Sequence, residues 1–172
     1  VKPTGLDLSL TSTGVATVKG TSRICPKCMG MERLVLIRNE ILALRPEFVV
    51  LEGYSFGSRG RAIIDIGELG GVIRMALWER DIPFLEVAPS ALKKYATGKG
   101  QVQKDVVFAT AIRSGFEGFN NDEADAWWLL QIGLATQATA TNRCKLPKYR
   151  LEVLEALPEM IWRIPMDAAL EG

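Results

Sequence analysis

Hydrophobic and polar positions alternate at the start of the chain. Leu6, Leu8 and Leu10 interleave with Asp7, Ser9 and Thr11, the period-two pattern of a strand with one buried face. A turn of small hydroxyl residues and Gly14 follows, and Val15–Val18 reads as the return strand of a hairpin. Thr21–Cys28 reads as a third short strand or an irregular loop interrupted by Pro26. Over Met31–Leu44 the period changes: Leu34, Ile37, Ile41 and Leu44 have helical spacing, and Pro46 stops the helix. Phe48-Val49-Val50-Leu51 is then an unbroken apolar run, the signature of a strand buried on both faces, and it ends in Glu52. Arg61–Arg80 is the longest helical pattern, with one stripe at Ala62, Ile66, Leu69, Ile73 and Leu77 and much of a second at Val72, Met75 and Ala76. Its glycines Gly67, Gly70 and Gly71 should each cost about 1 kcal/mol relative to alanine, so the helix needs packing on two sides.

Ile82–Val87 reads as another strand and Pro89–Tyr95 as a short helix. After the tight turn Thr97-Gly98-Lys99-Gly100, Val102–Ser114 and Asn120–Gln137 read as two further helices. Asn120 with Glu123 fits a capping box. Thr136–Arg143 reads as a linker, and Tyr149–Leu157 as an amphipathic stretch ended by Pro158. The order of elements predicts an α/β fold, a mixed β-sheet flanked by helices on both faces. The domain expected is 1–137, with 138–172 as a linker and tail packing on it or on a dimer.

The bulk numbers narrow the chemistry. The chain has 172 residues, 48% of them hydrophobic, enough for a sizeable core, and no apolar run approaches the roughly 20 residues of a membrane span. No signal peptide is read at the N-terminus. A net charge of +1 leaves phosphate binding to local clusters of Lys and Arg. There is no histidine, which excludes His-based triads and His-ligated zinc. Cys25 and Cys28 form a Cys-x-x-Cys pair that, with Cys144, cannot complete a four-ligand zinc site in one chain. Reduced thiols are the reading for a cytosolic chain; a reversible disulfide and a zinc shared between two chains are the alternatives.

Four carboxylates stand out. Asp7 lies in a strand where β-propensity disfavours an acid, although a solvated position on an exposed face would also accommodate it. Glu52 ends a central strand, and Asp122 and Asp125 lie at i and i+3 on one helix face. The helix dipole alone could account for the last two. Lys93, Lys94, Lys99 and Lys104 surround the Gly98–Gly100 turn, a pattern suited to phosphate contact. Tyr54, Phe56 and Arg59, in the Gly-rich loop Gly53–Gly60, either tuck inward or stack on unpaired bases. Four acids converging in one cleft would repel each other, and the usual resolution is Mg²⁺ or Mn²⁺ on hard oxygen ligands.

In these residues the sequence resembles the RuvC family of Holliday-junction resolvases, within the ribonuclease-H-like fold. Gly5-Leu6-Asp7 with Thr13-Gly14 resembles that family's first motif and Val50-Leu51-Glu52 its second. Pro89, Lys93, Gly98, Gly100 and Lys104 resemble its basic motif, and Asp122-Glu123-Ala124-Asp125-Ala126 its closing acidic helix. The resemblance implies a homodimeric, Mg²⁺- or Mn²⁺-dependent endonuclease that resolves four-way DNA junctions by paired nicks. Asp7, Glu52, Asp122 and Asp125 would be catalytic and metal-binding, and Lys93 and Lys104 would face phosphates. Lys99 and Arg59 would join them on DNA, and Tyr54 or Phe56 would supply the stacking aromatic. Helix 61–80 would form the dimer, and the setting would be the cytoplasm of a bacterial cell, the gene being bacterial or phage-borne. Leu8-Ser9 replaces the family's proline-glycine after the aspartate, and the tail from Thr136 has no counterpart, features that resemble divergent or phage-type members. A branched-DNA or flap nuclease of relaxed specificity and a non-catalytic junction-binding protein are the competing readings. The first motif also resembles the phosphate loop of actin-like ATPases and sugar kinases, which need a second lobe.

Overall fold

The computed structural model describes residues 1–53 and 61–161. In chain order the elements are β1 (Pro3–Asp7), β2 (Thr13–Thr17), β3 (Gly20–Ile24), α1 (Gly30–Ala43), β4 (Phe48–Glu52) and α2 (Arg61–Glu79), followed by β5 (Phe84–Val87), α3 (Pro89–Thr97), α4 (Lys104–Arg113), α5 (Asn121–Gln137), α6 (Ala140–Arg143) and α7 (Lys148–Glu155). The strands form one mixed sheet in the order β3-β2-β1-β4-β5. β1 and β2 pair antiparallel, as do β2 and β3, whereas β1, β4 and β5 run parallel.

Two cores sandwich this sheet, as the alternation of helix and strand patterns predicts. On one face Leu6, Leu8, Val49 and Leu51 pack against Leu34, Ile37 and Ile41 of α1 and Leu69, Ile73 and Leu77 of α2. On the other, Val50, Leu85 and Val87 meet Trp128, Leu129 and Ile132 of α5, with α3, α4 and Val153 of α7 behind them. Each buried Leu, Ile or Val contributes roughly 1.5–3 kcal/mol, so the sheet is held from both sides.

The expected single buried face of the first strand is corrected here. All five residues of β1 are buried, and the strand ends at Asp7, so that Leu8 and Leu10 lie in the turn. The second buried face is hidden in the sequence because Gly5 has no side chain to register on it. A Cβ built on Gly5 would lie 2.1 Å from the Ala126 carbonyl oxygen, and one on Gly14 2.0 Å from that of Asp122. The backbone of α5 therefore rests directly on β1 and β2. Of the two readings of Thr21–Cys28 the strand is the one found, as the edge strand Gly20–Ile24, and one smaller correction follows: the stretch read as a linker contains the single-turn helix α6. Val18 lies beyond the return strand, in the exposed turn to β3.

Gly14→Ala is expected to destabilise the fold by about 3 kcal/mol or more, since backbone atoms cannot give way as a flexible side chain can. Gly71→Ala in α2, where no atom lies within 4 Å of the new methyl, should instead stabilise the monomer by up to about 1 kcal/mol. Urea denaturation of the two variants checks the contrast, and equal midpoints would contradict the packing described.

Candidate active site

Two carboxylates stand at the ends of adjacent central strands. The parallel register pairs Leu6 with Leu51, so the next residues, Asp7 and Glu52, come side by side. Leu6 and Leu51 point into the α1/α2 core, and alternation turns Asp7 and Glu52 to the opposite face, beneath α5. The placement excludes the solvated alternative for Asp7, which is 9% exposed.

The other two acids arrive with the first turn of α5. Asn120 caps this helix, its side chain accepting the Glu123 N–H at 2.9 Å, while Glu123 Oε2 accepts the N–H of Phe119 at 3.3 Å. The cap fixes where the helix begins, and Gly14 fixes how closely it approaches β2. Asp122 sits over Gly14 and is bonded to Ser12, with Asp125 three residues on along the same helix face, and the charges of both raise the proton affinity of Asp7. Ser12, on the β1–β2 turn, donates its Oγ–H to Asp122 Oδ2 at 2.6 Å.

Electrostatics reveal the crowding. Burial holds the Asp7 carboxyl well above the usual carboxylate range; the charges of Glu52, Asp125 and Asp122 add to this, and Lys104 opposes it. Burial, aided by Asp125, pushes Glu52 up to about 7 against the pull of Lys104 and Lys93. Asp125 is raised by burial and by Asp122, again opposed by Lys104 and Lys93. Lys104 Nζ lies 3.8 Å from Asp125 Oδ2 and is 65% exposed, too open for a strong ion pair. Among the described residues, no three acidic or cysteine side chains are grouped closely enough to form a ligand cage. The donor set nevertheless fits a small hard cation: several carboxylates, buried or half-buried, mutually repelling and without soft ligands.

The lysine cluster separates on inspection. Lys93 and Lys104 act on the carboxylates, but Lys94 turns away to Glu152 of α7 at 2.8 Å. Lys99 is exposed on the turn capped by Gly98, whose φ of 82° suits glycine, and its charge is not among those that shift the acids. Tyr54, Phe56 and Arg59 lie outside the described residues. Cys25, Cys28 and Cys144 are free thiols. Sequence reasoning passed over Ser12; the only signal was the hydroxyl-rich run Ser9–Thr13, and its partner lies 110 residues further on.

Comparison with known proteins bears on this arrangement. Residues 31–113 match the family model for crossover junction endodeoxyribonuclease RuvC. The RuvC of Carboxydothermus hydrogenoformans is 40% identical over 70 residues, covering 40% of this chain and 44% of that protein. The RuvC of Cytophaga hutchinsonii is 29% identical over 106 residues, covering 61% of this chain and 52% of that protein. The chain thus spans about half the length of the curated relatives it matches. The structure of Thermus thermophilus RuvC superposes with a TM-score of 0.64 at 20% identity, over 80% of this chain and 96% of that one. The same protein in complex with Holliday junction substrate gives 0.62 at 20% identity, over 77% and 92%. The superposition shows a shared fold; in this chain that fold is a five-stranded mixed sheet between helices, with acids on two central parallel strands and on a helix laid across them. The family match runs from α1 through β4 to α4, just under half of the chain, and over that stretch the chain is similar to the RuvC family, whose ribonuclease-H-like fold it shares.

Proposed function

We propose that the chain is a divalent-metal-dependent endonuclease that resolves four-way DNA junctions by paired nicks, acting as a homodimer. The observation that carries this reading is the pairing of Asp7 with Glu52 at the ends of neighbouring strands, under the acids of α5. Similarity to the RuvC family supports the substrate, since these relatives are crossover junction endodeoxyribonucleases and one was solved with a Holliday junction substrate. Asp7, Glu52, Asp122 and Asp125 would hold the metal, with Mg²⁺ or Mn²⁺ matching their oxygen chemistry. Once bound, such ions activate a water and stabilise the leaving oxygen in phosphodiester hydrolysis. Lys93 and Lys104 border the acids and would draw the backbone phosphate toward them, and Lys99 and Arg59 would extend the contact. Tyr54 or Phe56 would stack on a base at the branch point. The absence of histidine is no obstacle, because no proton relay through imidazole is needed.

The dimer reading rests on α2. Ile64, Gly67, Gly71 and Met75 recur at spacings of three and four, which places them on one helix face. Ile64 and Met75 are more than half exposed, and open space lies over both glycines. A second copy laid along this stripe would cover the apolar residues and bring two clefts to one junction, as paired cuts require.

Three outcomes test the proposal. Wild type with Mg²⁺ should place paired nicks in a labelled four-way junction, and Glu52→Gln should lose at least ~1,000-fold in rate, since a ligand to the reacting metal is removed. Undiminished cutting by the variant would refute the carboxylate site, and equal cutting of flaps would refute the strict junction preference.

Stability should report the same charges. Glu52 binds its proton in the fold up to pH about 7, but only to about 4.3 unfolded. The folded state therefore holds the extra proton across that window, and stability must fall as pH rises through it. The loss from Glu52 alone is on the order of 3 kcal/mol, at about 1.4 kcal/mol per pKa unit. In metal-free buffer the melting temperature should drop between pH 5 and 8, less steeply in Glu52→Gln, and Mg²⁺ should restore it at pH 8. Parallel wild-type and variant profiles would contradict this.

Finally, Met75→Glu should convert a dimer to monomers in light scattering while leaving the far-ultraviolet circular dichroism intact. A dimer that survives would move the interface elsewhere.

A further inference from the structure

Ser12 lies outside the set of four acids, yet it is fixed to one of them. Its hydroxyl donates to Asp122 Oδ2 at 2.6 Å, a short bond of the kind a carboxylate forms with O–H. Both ends of this bond stand on braced backbone. On the turn, Thr13 Oγ1 donates to the Ser9 carbonyl at 2.6 Å and accepts the Ser9 N–H at 3.1 Å. Ser9 Oγ in turn accepts the N–H groups of Thr11 and Ser12 at 3.3 and 3.4 Å. Thr13 is fully buried and anchors this knot to the interior. On the helix side, the main chain of Asp122 is seated against Gly14, two residues from Ser12.

Asp122 also differs from its three neighbours. Asp7 is walled in, Glu52 lies half-buried beside it, and Asp125 has Lys104 at 3.8 Å. Asp122 is half-buried on the first turn, and it is the weakest of the charges acting on Asp7. Its carboxylate therefore depends on the Ser12 hydroxyl for its direction.

We propose that Ser12 is a positioning residue: its hydroxyl holds Asp122 by one oxygen and so presents the other to a divalent cation in the cleft. The proposal rests on the metal-dependent reading given above. It assigns the β1–β2 turn a role beyond that of connecting two strands. Loss of an outer hydrogen bond of this kind lowers metal affinity by about 10- to 100-fold. A purely structural staple between the turn and α5 would instead lower the melting temperature and leave metal affinity unchanged.

The test compares wild type, Ser12→Ala, Ser12→Thr, Ser12→Cys and Asp7→Asn. Mg²⁺ is titrated against melting temperature at pH 8 without DNA, and separately against the nicking rate on a four-way junction. Ser12→Ala should raise the half-saturating Mg²⁺ about 10-fold or more in both titrations, with the rate largely recovered at saturating metal. Ser12→Thr, which keeps the hydroxyl, should stay close to wild type. Ser12→Cys, similar in size but a weak donor, should fall between them, and it serves if the alanine variant does not fold. An unchanged half-saturation in Ser12→Ala or Ser12→Cys, with or without a lower melting temperature, overturns the proposal and leaves only a staple. If wild type shows no Mg²⁺-dependent stabilisation, or Asp7→Asn keeps all of it, the metal reading itself has failed and Ser12 falls with it.

Discussion

The structure depends on a contact between backbones. Helix α5 meets β1 and β2 backbone against backbone at two points, because Gly5 and Gly14 leave room for the carbonyls of Ala126 and Asp122. Gly133 extends the contact at the other end of the helix, against Pro3 and Val50. One methyl group at either of the first two positions would lift α5 from the sheet. The consequence reaches beyond packing, since the first turn of the helix carries Asp122 and Asp125. Lifting it would separate them from Asp7 and Glu52, so the same two glycines govern both the core and the cleft.

That closeness has an electrostatic cost. Carboxylates brought together under a helix raise one another's proton affinity, and burial adds to the effect at Asp7, Glu52 and Asp125. The fold offers partial relief. The positive end of α5 faces the strand acids, and Lys104 and Lys93 stand nearby. Neither lysine neutralises the group, as Lys104 is largely solvated and its nearest carboxylate oxygen is at 3.8 Å. The uncompensated charge is affordable because two apolar cores hold the sheet from both faces without any help from the cleft. A cluster of like charges of this kind is stabilised by anything cationic that binds the folded state in preference to the unfolded one.

Much of this was legible in the sequence, for reasons that differ by element. The central strand β4 and the helices α1 and α5 announce themselves by period, and their ends by Pro46, Glu52 and Asn120. Glu52 was conspicuous because it ends an unbroken apolar run, and Asp7 because acids are rare in strands. What stayed hidden was whatever depends on a distant partner. Gly5 reads as a polar gap until α5 is laid on it, and Ser12 reads as one more turn residue until Asp122 arrives. Nor could spacing decide between Lys93 and Lys94. Adjacent residues on a helix point about 100° apart, so one faces the cleft and the other reaches Glu152.

The partition of those two lysines follows from the aromatic residues behind α3. Trp128 of α5 packs edge-on against Tyr95 of α3, with ring centroids 6.1 Å apart, and donates its indole N–H to the Val107 carbonyl of α4 at 3.3 Å. One side chain thereby ties the acid-bearing helix to both helices that carry the lysines. Arg150 of α7 closes the assembly from outside, its guanidinium 5.0 Å from the Tyr95 and Trp128 ring centres and its Nε–H on the Tyr95 carbonyl at 3.1 Å. With α3 pinned at Tyr95, Lys94 is directed to Glu152 on α7 while Lys93 is left toward the acids. The charges of the cleft are thus set from below by glycine and from behind by tryptophan. In that sense α7, although it contributes no residue to the cleft, helps to decide which lysine faces it.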